Sequence, residues 1–204
     1  MRYRIRFTGT VLAALFHCAA MSDEQLRSGL ECGFIDHTAE AQEEFIPQLI
    51  TNNPENGEKV ISSLSQEMNS CDKFAFSVAF ISYSGVNPLL NEFRNLHKKN
   101  VKGRIIASQY QNFTEPKALS VLASFPNIEL RIVTEDYMKM HTKCYIFKRG
   151  ENYNVILGSS NLTNSALCEN GEWNIRFNSS QRGEIAKDIL EEFEKVWEHA
   201  TPVT

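Results

Sequence analysis

The chain has 204 residues, enough for one ordinary domain with a real hydrophobic core. Its 21 Lys/Arg against 25 Asp/Glu give a net charge of −4, which excludes a protein held to nucleic acid by its overall charge. Five scattered cysteines (Cys18, Cys32, Cys71, Cys144, Cys168), with no C-x-x-C and no zinc-finger spacing, exclude a disulfide scaffold and a Cys/His zinc module. They fit reduced, mostly buried thiols and a cytoplasmic setting.

Arg2, Arg4 and Arg6 precede the apolar stretch Thr8–Ala20, so residues 1–20 read as an N-terminal tail or signal-like segment. Thirteen residues fall short of the about 20 needed to span a bilayer, so no integral membrane span is expected. The remaining 21–204 read as one domain. Residues 22–53 are polar and irregular, with a short apolar cluster at Phe45, Ile46, Leu49 and Ile50. Val60, Ile61, Leu64 and Met68 share one helical face, which predicts an amphipathic helix over 57–70.

Phe74–Ser82 is apolar and β-rich, as a buried central strand would be. A helix is predicted over 85–97 from Leu89, Leu90, Phe93 and Leu96, and a strand over 101–108. A loop with Tyr110 and Phe113 leads to a helix over 115–124, with Thr114 as cap and Pro116 in its first turn. Further strands are predicted over 128–134, 140–147, 153–157 and 173–177, then a closing helix over 182–199 whose apolar residues form one stripe. Strands that alternate with helices and end in a hairpin predict an α/β sandwich: a mixed β-sheet flanked by helices.

The charge is uneven. Residues 92–150 carry eleven Lys/Arg against five acids, while the segments on either side are each −5. A basic middle third can gather an anionic substrate locally.

Three pieces within and just after that third carry chemistry. In His141-Thr-Lys143, two residues apart on a strand, an imidazole and an ammonium emerge on one face. The imidazole is a nucleophile or general acid, and the ammonium offers charge to a phosphoryl oxygen. In Gly158-Ser159-Ser160-Asn161, Gly158 permits close backbone approach, while Ser159, Ser160 and Asn161 supply groups that bond phosphate oxygens. Glu172, in Glu172-Trp-Asn174, is a carboxylate suited to orient the imidazole. Trp173 is expected in the core beside the site and Cys144 in the core on the face opposite Lys143, while Tyr110 reads as an ordinary loop residue ahead of one that lines a substrate groove.

The order H-x-K, G-S-x-N and trailing acid resembles the active-site motif of the phospholipase D superfamily. Phe74–Ser82, His141–Phe147, Val155–Leu167 and Glu172–Ile175 look like a single-motif subgroup, found as the N-terminal domain of restriction-associated superfamily II helicases and in some restriction nucleases. The resemblance implies a metal- and cofactor-independent phosphodiesterase acting on nucleic acid, DNA above all, through a phosphohistidine intermediate. Carried over, His141 is the nucleophile or acid, Lys143 and Asn161 are phosphate ligands, Ser159 is a polar support, and Glu172 orients His141. H-x-K occurs at His97-Lys98-Lys99 as well as at His141-Thr-Lys143, but only the latter is followed by G-S-x-N; one complete motif per chain implies a homodimer that completes the site across a two-fold axis. A helicase or restriction partner is a further expectation. The alternatives are a non-catalytic nucleic-acid-binding module of such a system, or a lipid-acting phospholipase. In two respects the chain departs from the family pattern: many members have an Asp five residues after the Lys, where this chain has Lys148, and fourteen residues separate Lys143 from Gly158, more than in the common pattern.

Overall fold

The computed structural model describes residues 46–203. The expectations for residues 1–20 and for Cys18 and Cys32 lie outside the described residues. In chain order the elements are β1 (Gln48–Ile50), α1 (Val60–Ser70), β2 (Lys73–Val78), α2 (Tyr83–Val86), α3 (Leu90–Lys98), β3 (Lys102–Ser108), α4 (Pro116–Ala123), β4 (Ile128–Val133), β5 (Lys143–Arg149), β6 (Asn152–Gly158), α5 (Asn164–Cys168), β7 (Asn174–Ser180), α6 (Glu184–His199) and β8 (Thr201–Pro202). The strands form a single mixed sheet in the order β1-β7-β6-β5-β2-β3-β4-β8. The α/β sandwich read from the sequence is the fold observed.

Alternation along the strands divides the core in two. Phe74, Phe76 and Val78 of β2, Tyr145 and Phe147 of β5, and Ile105 of β3 face the larger apolar layer, where Leu64 and Met68 of α1 and Phe93 and Leu96 of α3 meet them. Ala75, Ile106, Cys144, Ile146 and Val155 face the other side, which Phe193 and Trp197 of α6 cover. Burying a large apolar side chain contributes about 1.5–3 kcal/mol, so β2, buried on both faces, anchors the sheet.

Several details differ from the sequence reading, and four of them have a plain physical reason. The helix expected over 85–97 is broken into α2, a 3₁₀ turn Asn87–Leu89 and α3, because Pro88 supplies no backbone N–H there. Thr114 does not cap α4. Glu115 is the capping residue, and the Thr114 hydroxyl instead donates to the Ser108 carbonyl at 2.8 Å. Strand β5 begins at Lys143, so His141 precedes it rather than lying within it. The apolar cluster at 45–50 includes a short strand: β1 pairs antiparallel with β7, Leu49 lying opposite Ile175.

Topology then positions the site. Strands β2, β3 and β4 run parallel, and β5 runs antiparallel to β2. The start of β5, the end of β6, the start of β7 and the end of β2 therefore lie at one end of the sheet. In open α/β sheets, the carboxyl ends of parallel strands are where chain reversals leave a crevice.

Candidate active site

Four segments converge at this end of the sheet. Val78, the last residue of β2, pairs with Lys143, and the Ala79 N–H donates to the Thr142 carbonyl at 2.8 Å, which fixes the approach to β5. Beyond β6, residues 159–162 run beside the chain that leaves β2. Leu162 N–H donates to Phe80 O at 3.1 Å, and Ser82 N–H to Leu162 O at 3.0 Å. Gly85 is required under this crossing, since a Cβ there would overlap the Leu162 carbonyl.

Within this frame His141 and Lys143 are side by side. The Lys143 Nζ lies 2.8 Å from His141 Nδ1 and donates to the His141 carbonyl at 2.7 Å. The two meet because the lysine folds back onto its neighbour, not because both belong to a strand. Lys143 is 7% exposed. Burial pushes its pKa below the usual lysine value, and the negative charge of Glu172 opposes that fall. A poorly solvated ammonium against an imidazole is a strong electrostatic partner for a phosphoryl oxygen.

Asn161 is fastened by its carbonyl oxygen, which accepts the Phe80 N–H at 3.1 Å. Its amide nitrogen has no hydrogen-bond partner among the described residues, and so is a donor open to an anion. Phe80 also meets the His141 ring edge-on at 5.6 Å and stacks edge-to-face with Phe113 at 5.1 Å. The sequence reading missed Phe80, which looks like an ordinary strand phenylalanine. Only the crossing of 80–82 with 159–162 reveals its place.

The remaining residues support the frame. The Glu172 carboxylate accepts the Ser159 hydroxyl and lies 3.5 Å from the Asn170 amide nitrogen. Its hydrogen bond goes to Ser159 and its influence on the pair is through its charge, whereas the sequence reading aims it at the imidazole. Ser160, read as a substrate contact, is 0% exposed and fully engaged. Its N–H donates to Asn174 Oδ1 at 3.2 Å, its hydroxyl accepts from Asn174 Nδ2 at 2.8 Å, and its carbonyl accepts from the Tyr145 hydroxyl at 3.0 Å. Ser160 therefore braces the loop from inside and does not face a ligand.

Gly158 keeps the expected role, because a Cβ there would strike the Trp173 carbonyl and the Asn174 backbone. Trp173 is not in the core: at 73% exposed it points outward, since alternation along β7 gives the inward position to Asn174. Cys144 is buried as expected, and desolvation pushes its thiol up to about 12, which leaves it inert. The Tyr110 ring lies outside the described side chains.

Two stability results follow from this bracing. Asn174→Ala removes two of the hydrogen bonds of Ser160 and leaves its buried N–H unpaired, so a loss of about 1–3 kcal/mol is expected in urea unfolding. Gly158→Ala forces β6 and β7 apart at the site and is expected to cost about 1–3 kcal/mol, with catalysis lost more steeply than stability. A circular dichroism melt alongside an activity assay separates the two effects.

The comparisons with known proteins place this mixed α/β sandwich in a class. The family model described as cardiolipin synthase, PLD-like domain, matches residues 64–197, so the chain belongs to the phospholipase D-like domain family. Among solved structures it is similar to NucT from Helicobacter pylori, at 16% identity and a TM-score of 0.62 over 78% of this chain and 100% of that one. It is also similar to Nuc, a phospholipase D family member from Salmonella typhimurium, at 18% identity and a TM-score of 0.55 over 77% and 98%. A third is phosphatidylserine synthase from Haemophilus influenzae Rd KW20, at 11% identity and a TM-score of 0.59 over 77% and 40%. No curated protein matches the sequence. Among the described residues, no helix is long and apolar enough to cross a membrane.

Proposed function

We propose that this chain is a metal-independent phosphodiesterase of the single-motif phospholipase D type that hydrolyses nucleic acid, DNA foremost, as a homodimer. The observation that carries the reading is the contact between Lys143 Nζ and His141 Nδ1, 2.8 Å apart at the open end of the sheet, with the Asn161 amide nitrogen held nearby. His141 attacks phosphorus through a ring nitrogen, forming a P–N bond as the P–O bond to the leaving oxygen breaks. That oxygen takes a proton from His141 of the partner subunit, which afterwards activates the water that hydrolyses the phosphohistidine. Lys143 and Asn161 hold the non-bridging oxygens, so charge stabilisation needs no cation. Glu172 is a positioning residue: through Ser159 it fixes the loop, and its charge helps keep Lys143 protonated.

One complete H-x-K, G-S-x-N motif per chain makes the two-fold partner necessary in this mechanism. The exposed Phe113, 59% accessible and in line with Phe80 and His141, is suited to stack a nucleobase beside the scissile phosphate. Docking onto a helicase or restriction partner belongs to the same reading. The test is hydrolysis of DNA and bis(p-nitrophenyl) phosphate in excess EDTA, with the oligomeric state measured by light scattering. Full activity in a strict monomer would sink the shared site. Hydrolysis of phosphatidylcholine vesicles and not of DNA would transfer the reading to a lipid substrate.

A further inference from the structure

A second cationic feature lies at the far end of the sheet. Lys73 of β2 stands opposite Lys102 of β3 and opposite Lys148 of β5, so three lysines occupy adjacent in-register positions on three central strands. They share the face of Ala75 and Ile146, which α6 covers further along. Neighbouring strands lie about 4.8 Å apart, so the row spans about 10 Å. Like charges directly opposite one another are destabilising. Yet none of the three makes an ion pair within 4.0 Å among the described residues.

The row forms one wall of an open cleft of about 420 Å³ between the sheet and α6, which Tyr153 and Leu190 also line. One row further in, Arg104 is held by Glu194 in a two-pronged pair at 2.8 and 2.5 Å and lies over the Phe193 ring at 5.0 Å. That arginine is structural. Its carboxylate partner is occupied, and Glu129, opposite Arg104, is the other acid on the cleft. The three lysines therefore keep a surplus of positive charge. Lys148 lies five positions beyond Lys143 along β5, about 17 Å, and the two project from opposite faces, so the cleft is not part of the His141 site.

We propose that this cleft is a separate binding site for an anion with two or more closely spaced phosphates. Lysine ammoniums are compact point charges with three rotatable donors each, suited to tetrahedral anions. A single carboxylate would leave two of the three unneutralised. The same chemistry is offered by a free polyphosphate and by consecutive phosphates of a nucleic-acid strand, and the inference does not depend on the catalytic reading above.

The experiment titrates the full chain with tripolyphosphate and, separately, with a short single-stranded oligonucleotide, by calorimetry at two salt concentrations. In the triple variant Lys73→Gln, Lys102→Gln, Lys148→Gln, tripolyphosphate affinity should fall at least about tenfold, while His141→Ala keeps it; this identifies a free polyphosphate. If only the oligonucleotide responds, its affinity should fall and its log–log salt slope should flatten by about 2, which identifies a strand backbone. Lys148→Glu guards against misfolding: it converts a like-charge pair with Lys73 into an opposite one, so it should melt no lower than wild type and still lose the anion. The proposal is overturned if neither affinity moves in the triple variant, or if His141→Ala abolishes tripolyphosphate binding. A chain that binds tripolyphosphate in this cleft and never cleaves DNA would refute the nuclease reading alone.

Discussion

His141→Ala is expected to lower turnover on DNA and on bis(p-nitrophenyl) phosphate by at least about 10⁴-fold, with little change in melting temperature. Removing the nucleophile of a covalent mechanism costs orders of magnitude, because the electrostatic residues left behind cannot form the intermediate. His141 is exposed and stands before β5, so the deletion opens no core cavity. Wild-type activity should persist in EDTA, because the positive charge beside phosphorus is the Lys143 ammonium. Quench-flow in H₂¹⁸O should show label entering the phosphate product, as hydrolysis of a phosphohistidine requires. Activity retained in His141→Ala would rule out the mechanism. EDTA-sensitive turnover that needs His141 would rule out only its independence from metal.

Lys143→Met is expected to separate function from stability. Loss of the ammonium should reduce kcat by about 10²–10³-fold, the usual scale for one preorganised electrostatic group. The fold should be unharmed or stabilised, because Lys143 is charged in a poorly solvated position and its pKa is lowered chiefly by that burial. The sign is definite. Between the lowered folded pKa and the ordinary lysine value of 10.5, the unfolded chain binds more protons than the folded one, so Lys143 makes stability rise with pH across that window. Activity moves the other way, since the reaction uses the charged form: kcat should fall on the alkaline side at a pH below the ordinary lysine range. Lys143→Arg, which stays charged, should lack that alkaline limb while working poorly, because a planar fork does not replace a compact ammonium. An unchanged alkaline limb in the arginine variant would assign it to another group.

Much of the fold was legible because its signals are local. The apolar run of β2, the stripe along α6 and the alternation of strands with helices state their periods within a few residues. The elements misread depend on distant partners. β1 exists because β7 offers it an open edge, and the 85–97 helix breaks where Pro88 falls. Trp173 was misread because its side chain follows the phase of β7, which Asn174 fixes through the buried Ser160. The candidate site divides similarly. The residue types and their order, from His141 to Glu172, stand in the sequence. Which of them touch does not, since Ser160 turned inward and Glu172 turned to Ser159 through contacts that only the packed loop creates.

The sequence by itself determined the chemistry available: an imidazole and an ammonium two residues apart, an amide loop, and a carboxylate, in an α/β sandwich. Tertiary structure alone decided where that chemistry stands. The antiparallel return of β5 beside β2 brings residues 80, 141–143 and 158–161 to one end of the sheet. The same register lines up Lys73, Lys102 and Lys148 at the other end. A side chain's identity is written locally, but its neighbours across a sheet are set by strand order and register, which arise only when the whole core closes.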